Sequence, residues 1–206
     1  MNVTNVRIFG MGGTGVAAKY PMISKVPTEA EFNETELMIE EASILLTDEF
    51  KEGKDYHRMC HLGGAKIGSG HSNFLKGVIV QFDCEAPRYW WNQLQRYNFV
   101  DFVSSQSQMH RIGRINLETN KDLLEETIEL AHRVVDMYNA KEITIDQCLA
   151  NIPQGIEITA RLSTNYLQLK TIYNQRRHHR SRHWQEFCDW VETLPLAQEL
   201  IINEVK

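Results

Sequence analysis

The stretch from Val78 to Pro87 most constrains what this chain can fold into. Val78, Val80, Phe82 and Cys84 alternate with Gln81 and Asp83, the period-two pattern of a strand with at least one polar face. Ala86-Pro87 then supplies a helix start, since a proline in the first turn lacks only an N–H that the helix leaves unbonded. A strand running straight into a helix calls for helices packed on a sheet. The 206 residues are 42% apolar and 24% charged, a globular composition that excludes disordered, collagen-like and coiled-coil chains. The expectation is one α/β or α+β domain over residues 1–206.

Further elements follow from periodicity and caps. Val3 to Phe9 reads as a strand, and Asn33-Glu34-Thr35-Glu36 as the capped start of a helix carrying Leu37, Ile44 and Leu45. Lys51 to Ser72, glycine-dotted and rich in His and Lys, reads as a loop or short helix. Tyr89 to Tyr97 continues the helix after Pro87. Another follows Thr119-Asn120-Lys121-Asp122, with Leu124, Ile128, Ala131, Val135 and Tyr138 on one apolar stripe. Arg161 to Arg176 reads as a third long helix, and Trp184, Phe187, Cys188 and Val191 mark a fourth ending before Pro195.

No stretch approaches the roughly 18 consecutive apolar residues of a bilayer span. Met1 to Gly10 lacks the basic start and long apolar run of a secretory signal. Cys60, Cys84, Cys148 and Cys188 stand singly, which fits a reducing cytosol, so a cytoplasmic protein without a membrane partner is expected. The net charge of -5 argues against nucleic acid as a partner. The basic run from Arg176 to His183 points instead to one anionic ligand.

Gly10-Met11-Gly12-Gly13-Thr14-Gly15 after a strand matches a dinucleotide-binding spacing. Pro21 interrupts the helix such a site needs, and no ribose-binding acid follows a second strand, so a plain glycine-rich turn is expected. His57 with His61, and His179 with His183, have helical ligand spacing but no third ligand, so no metal is expected. No cysteine stands in a nucleophile setting.

Two helix faces carry more chemistry. Gln93 and Arg96 are three residues apart with Tyr97 beside them, and an amide plus a guanidinium suits a heterocycle bearing an anion. Asn165, Leu169, Ile172 and Arg176 lie at i, i+4, i+7 and i+11 of the third helix and so share a stripe, with Asn165 and Arg176 about 16 Å apart. A solvated polar face and an arginine cap at a helix C-terminus are the competing readings.

On these residues the chain resembles the flavin-dependent thymidylate synthases. His71 through Ala86-Pro87 to Gln93 and Arg96 aligns without a gap to that family's His-x-Thr-Pro-Phe-x-His strand, its Ala-Pro and its Gln-x-x-Arg-His-Arg. Pro153 to Arg176 aligns to its Leu-Pro segment and the helix bearing two Asn and an Arg, here Asn165, Asn174 and Arg176. Trp184-Gln185-Glu186 resembles the Gln-Trp-Glu that follows, and Ala17-Ala18-Lys19 its Ala-Ala-Arg.

The chain also departs from the pattern. Arg-His-Arg reads Arg96-Tyr97-Asn98, and the family's serine falls on Gln106 between Ser105 and Ser107. Its Arg before the Leu-Pro is Leu149, and its Thr after the first His is Asn73.

The resemblance implies a single domain with a central, mostly antiparallel sheet flanked by helices. It implies FAD held by His71, Asn73, Arg96, Asn98, Asn165 and Asn174, with Gln93, Arg96, Ser107 and Arg176 facing a deoxyuridylate, Arg176 and Ser107 as catalytic residues, and no metal. The implied activity is methylation of dUMP to dTMP with methylenetetrahydrofolate and NADPH as cosubstrates, in a homotetramer. The altered signature leaves two alternatives: a related enzyme making another 5-substituted deoxyuridylate, such as a hydroxymethyl form used in phage DNA, or a non-catalytic homologue that binds nucleotide or nucleic acid.

Overall fold

The computed structural model describes residues 1–114 and 121–203; Thr119 and Asn120, read above as part of a helix start, lie outside them. The first half runs β1 (Asn2–Phe9), α1 (Met11–Ala17), α2 (Glu29–Leu45), α3 (Asp48–Glu52), α4 (Lys54–Gly63), β2 (Ile79–Pro87) and α5 (Arg88–Leu94). It continues with β3 (Asp101–Ser105), α6 (Gln108–Arg111), α7 (Glu125–Asn139), α8 (Ile145–Asn151), β4 (Glu157–Asn165), α9 (Tyr166–Arg176) and α10 (Arg182–Glu192).

The four strands form an antiparallel sheet in the order β1-β2-β4-β3, the α+β arrangement that the strand-to-helix stretch called for. The pairing of β2 with β4 is fixed at both ends: Arg88 N–H donates to the Ile156 carbonyl at 3.1 Å, and Tyr166 N–H to the Val78 carbonyl at 3.1 Å. The alternation read in β2 holds, with Val80, Phe82, Cys84 and Ala86 all fully buried.

The chain packs as two compact units, the division falling within each of the four strands. The first comprises residues 1–4, 83–97 and 102–162. Its core gathers Ile112, Ala131, Val134, Val135, Cys148, Ile152 and Ile156, with Ile128, Tyr138 and Leu149 packed against them. Leu124 precedes α7 and is exposed, so the apolar stripe begins at Ile128. The second unit comprises residues 5–82, 98–101 and 163–206. There Phe82 packs on Trp190 with ring centroids 4.4 Å apart, and Trp184 on Phe187 at 6.0 Å. Burying one such large side chain contributes about 1.5–3 kcal/mol.

Four boundaries differ from the sequence reading. Helix α2 begins at Glu29, because Thr28 and Glu31 form a reciprocal capping box upstream of Asn33. Helix α5 stops at Leu94, three residues before Tyr97. His71 opens a 3-10 turn, His71–Gly77, instead of lying on a strand. Arg161 to Asn165 belongs to β4: Ala160, Leu162, Thr164 and Tyr166 are buried in strict alternation, the period of a strand. The helix begins only at Tyr166.

The glycine-rich segment serves packing. Gly10 takes a left-handed φ of 77° before α1. A side chain on Gly12 would strike the backbone carbonyl of Glu36, so the glycine permits α1 to lie close on α2. Gly12 N–H donates to Glu40 Oε2 at 2.6 Å, so a carboxylate of the chain itself already occupies the start of α1. Among the described residues no helix is long and apolar enough to cross a membrane.

Candidate functional site

Asn165 ends β4 in an extended conformation, with φ of -136° and ψ of 166°, and caps α9. Its Oδ1 accepts from Gln168 N–H at 2.9 Å, satisfying one of the amides that every helix start leaves unbonded. Strand-to-helix conversion at this residue thus fixes both the place and the rotamer of its amide.

Asn165 lines a cavity of about 390 Å³ within the second unit. Asn73 lines it too, from the 3-10 turn, together with Lys76, Phe99, Gln168 and Thr171. Gly70, with φ of 84°, sets the entry to that turn. Phe99 holds φ of 62°, a left-handed conformation that is costly for a bulky residue, and its carbonyl accepts from Thr164 Oγ1 at 2.8 Å. Its ring is exposed. The cavity therefore combines amide groups, a lysine amine and an apolar ring, a set suited to a ligand with both an acceptor-rich heterocycle and negative charge.

The other candidates of this unit stand as follows. His71 is exposed beside Asn73 on the same turn, and Asn98 is exposed next to Phe99. Asn174 is exposed on the last turn of α9. Arg176, half-buried at the end of α9, lays its guanidinium over Trp184 at 4.7 Å from the ring centroid. Arg177 beside it is held by Asp189 and by Glu192, the latter at 3.2 Å, and Arg182 by Glu186 at 3.0 Å. Arg177 and Arg182, two of the four arginines in the basic run, are therefore held in ion pairs. The shared stripe of Asn165 and Arg176 does not exist as drawn, since Asn165 lies outside the helix.

In the first unit Gln93 is half-buried on α5, and Arg96 is exposed in the turn that follows, its N–H donating to the Gln93 carbonyl at 3.3 Å. They do not share a helix face. Ser107 caps α6, its Oγ accepting from His110 N–H at 3.5 Å. Leu149 packs into the apolar cluster of α7 and α8.

The structure thus brings Asn73 and Asn165 into one cavity, and it adds Lys76 and Gln168, which the sequence reading missed. Each follows one of those asparagines by three residues, so the spacing was the available signal. Burial pushes the thiols of Cys84 and Cys188 up to about 12, and burial also raises those of Cys148 and Cys60. None is a ready thiolate at neutral pH.

No family model matches the sequence, and no curated protein matches it. Solved structures do. The flavin-dependent thymidylate synthase ThyX of Helicobacter pylori, complexed with FAD and dUMP, superposes with a TM-score of 0.69 at 13% identity, covering 100% of both chains. A second structure of the Helicobacter pylori enzyme, also with FAD and dUMP, gives a TM-score of 0.66 at 13% identity over 98% of this chain and 97% of that one. Over its whole length, the chain has the fold of the flavin-dependent thymidylate synthases.

Proposed function

We propose that this chain, as one domain over residues 1–206, is a flavoenzyme acting on deoxyuridylate, and that its reaction is methylation of dUMP to dTMP. The observation that carries this reading is the meeting of Asn73 and Asn165 in one cavity, within a fold whose solved representatives carry FAD and dUMP. The cavity is too small for a whole dinucleotide, so it fits one end of FAD, with Asn73, Lys76 and Asn165 as its holders. Bound reduced FAD would supply the reducing equivalents for methylation, with methylenetetrahydrofolate giving the carbon and NADPH the electrons.

The remaining work falls to the protein's own side chains. Arg176 binds the pyrimidine and offsets negative charge developing on it, its guanidinium oriented by Trp184. Gln93, Arg96 and Ser107 bind the rest of the nucleotide, and His71, Asn98 and Asn174 complete the flavin contacts. Arg96 and Asn98 are exposed and unoccupied by other side chains among the described residues, which suits contacts across subunits of a cytoplasmic homotetramer.

One observation favours a second reading. Leu149, where the family pattern has an arginine, is committed to an apolar cluster, so it offers no charge to a substrate. A related enzyme making another 5-substituted deoxyuridylate accommodates that change, whereas a binding-only homologue needs no flavin at all. The test is the absorbance spectrum of the purified protein followed by tritium release from dUMP labelled at C5 and the mass of the product. A yellow protein that releases tritium and yields dTMP supports the first reading, and a heavier product the second. A colourless protein that takes up no FAD on titration overturns both.

A further inference from the structure

We propose that helix α2 and the groove beside it form a docking surface for a basic amphipathic helix of a partner protein. The proposal is independent of the flavin reading, because no residue assigned to flavin or deoxyuridylate above lies on α2, α3 or α4.

Helix α2 has two apolar faces, and the fold uses one. Ile39 and Ser43 are buried on the side that packs against α1, where Gly12 lies against Glu36 and Gly15 against Ile39. Leu37, Met38, Ile44 and Leu45 are instead between 62% and 70% exposed, although the sequence marks three of them as the apolar residues of this helix. At 100° per residue these four fall within a sector of about 120°, opposite Ile39 and Ser43. Single exposed apolar side chains are ordinary, but a contiguous stripe of them marks an interaction surface.

The stripe borders a groove of about 440 Å³. Met38 and Leu45 line it from α2, and Phe50 and Tyr56 from α3 and α4, their rings edge to face with centroids 5.4 Å apart. Leu37 to Leu45 spans about 12 Å, so about two to three turns of a partner helix cover it.

Charge selects the occupant. Helix α2 carries six glutamates and no lysine or arginine. Glu34 and Glu41 are exposed and, by the same helical geometry, share the middle of the stripe. Along the groove Glu41, Glu49 and Asp55 outnumber Lys54. A second copy of the chain would pair the stripe with itself and set these carboxylates against one another. A lipid surface calls for a polar face rich in lysine or arginine, which α2 lacks. A helix with its own apolar stripe, flanked by lysine or arginine, both covers the leucines and pairs the glutamates.

The experiment is a fluorescence anisotropy titration of the full chain into a labelled peptide of about 14 residues, made of leucine and lysine with the leucines at helical spacing. One control peptide replaces every lysine with glutamate, and the other keeps the composition but scatters the leucines. The amphipathic basic peptide should bind at least about ten-fold more tightly than either control. Leu37→Ser with Ile44→Ser should lower its affinity about ten-fold or more, as should Glu34→Gln with Glu41→Gln. Glu125→Gln with Glu126→Gln, exposed on α7, should leave it unchanged. Circular dichroism verifies folding of each variant. If one α2 pair prevents folding, the other pair and the peptide ranking decide. Absence of binding, or equal binding of the three peptides, overturns the proposal. An equal loss in the α7 pair does so too, since the peptide would then sense only net negative charge. Sedimentation velocity should give the same mass for the unaltered chain and for Leu37→Ser with Ile44→Ser. A smaller mass for that variant would assign the stripe to a second copy and overturn the proposal, and co-sedimentation of the unaltered chain with phosphatidylcholine vesicles would assign it to a membrane and overturn it equally.

Discussion

Lys170, with no exposed surface, donates from Nζ to the carbonyl oxygen of Gly63 at 2.6 Å. A second bond reaches the Ala65 carbonyl at 3.0 Å, so one side chain of α9 satisfies the carbonyls where α4 ends. Lys170→Met keeps the length of the stem and leaves both carbonyls unmet. It should cost about 2–4 kcal/mol in urea unfolding, while Lys76→Met, on an exposed side chain, should stay within about 0.5 kcal/mol. Equal losses would mean that the amine contributes nothing beyond its stem.

Arg176→Ala should weaken dUMP binding about ten- to a hundred-fold, far more than Arg180→Ala. Arg176 is oriented by the Trp184 ring, whereas Arg180 is exposed. Isothermal titration with dUMP reads the difference directly. Similar effects of the two substitutions would replace a specific contact with a diffuse positive field.

No single cysteine should be required for turnover. Replacing Cys60, Cys84, Cys148 and Cys188 one at a time with alanine should leave tritium release from labelled dUMP intact in every variant that folds. Burial holds these thiols protonated, so alkylation by iodoacetamide should be slow at pH 8 and fastest at Cys60, the least buried. A folded variant that keeps FAD and dUMP but loses all turnover would establish thiolate catalysis instead.

Gly12→Ala should destabilise the chain by about 1–3 kcal/mol, because its methyl group meets the backbone carbonyl of Glu36, which cannot move aside. Gly13→Ala should cost less. Its nearest neighbour is Glu36 Oε1 at 2.8 Å, the end of a flexible side chain. Thermal melts of the two variants give the comparison, and equal shifts would place the constraint in α1 itself.

His179 titrates below the ordinary imidazole value of 6.5, through burial first and the nearby charges of Arg176 and Arg180 second. Its Nδ1 also accepts from Ser181 N–H at 3.1 Å, a bond that needs that nitrogen unprotonated. The unfolded chain therefore takes up this proton more readily than the folded one. Stability is unaffected well above pH 6.5, falls as the pH drops through 6.5, and levels once the folded imidazole is also protonated. His179→Gln should flatten that part of a stability profile between pH 5 and 7.5; an unchanged slope would assign it to other groups.

Much of the frame was legible in the sequence because local pattern and burial agree. Val78 to Cys84 alternates as read, and Trp184 to Val191 buries the stripe its spacing marks. Arg161 to Asn165 was misread because β4 passes into α9 without a glycine or proline between them. The polar residues Arg161, Ser163 and Asn165 also suit a helix face as well as a strand edge. The one local sign was Asn165 itself, a strong cap residue. The cavity was less accessible still, since Asn73 and Asn165 are brought together by packing of the 3-10 turn against α9, which no spacing within either segment encodes. The glycine-rich segment, read as a plain turn, instead forms α1 after Gly10, and only the structure shows what its glycines touch.

The cap on α9 has a consequence for whatever enters the cavity it lines. With one lone pair of Asn165 Oδ1 engaged by Gln168 N–H, the amide keeps its two Nδ2 hydrogens and one remaining lone pair for a visitor. The cap biases the residue toward donation: two hydrogens stand ready for a carbonyl, ring nitrogen or phosphate oxygen, against a single lone pair for a donor. Asn165→Asp would keep the helix start intact and remove both hydrogens, turning a mainly donating position into one that only accepts and that repels phosphate while the cap stays in place.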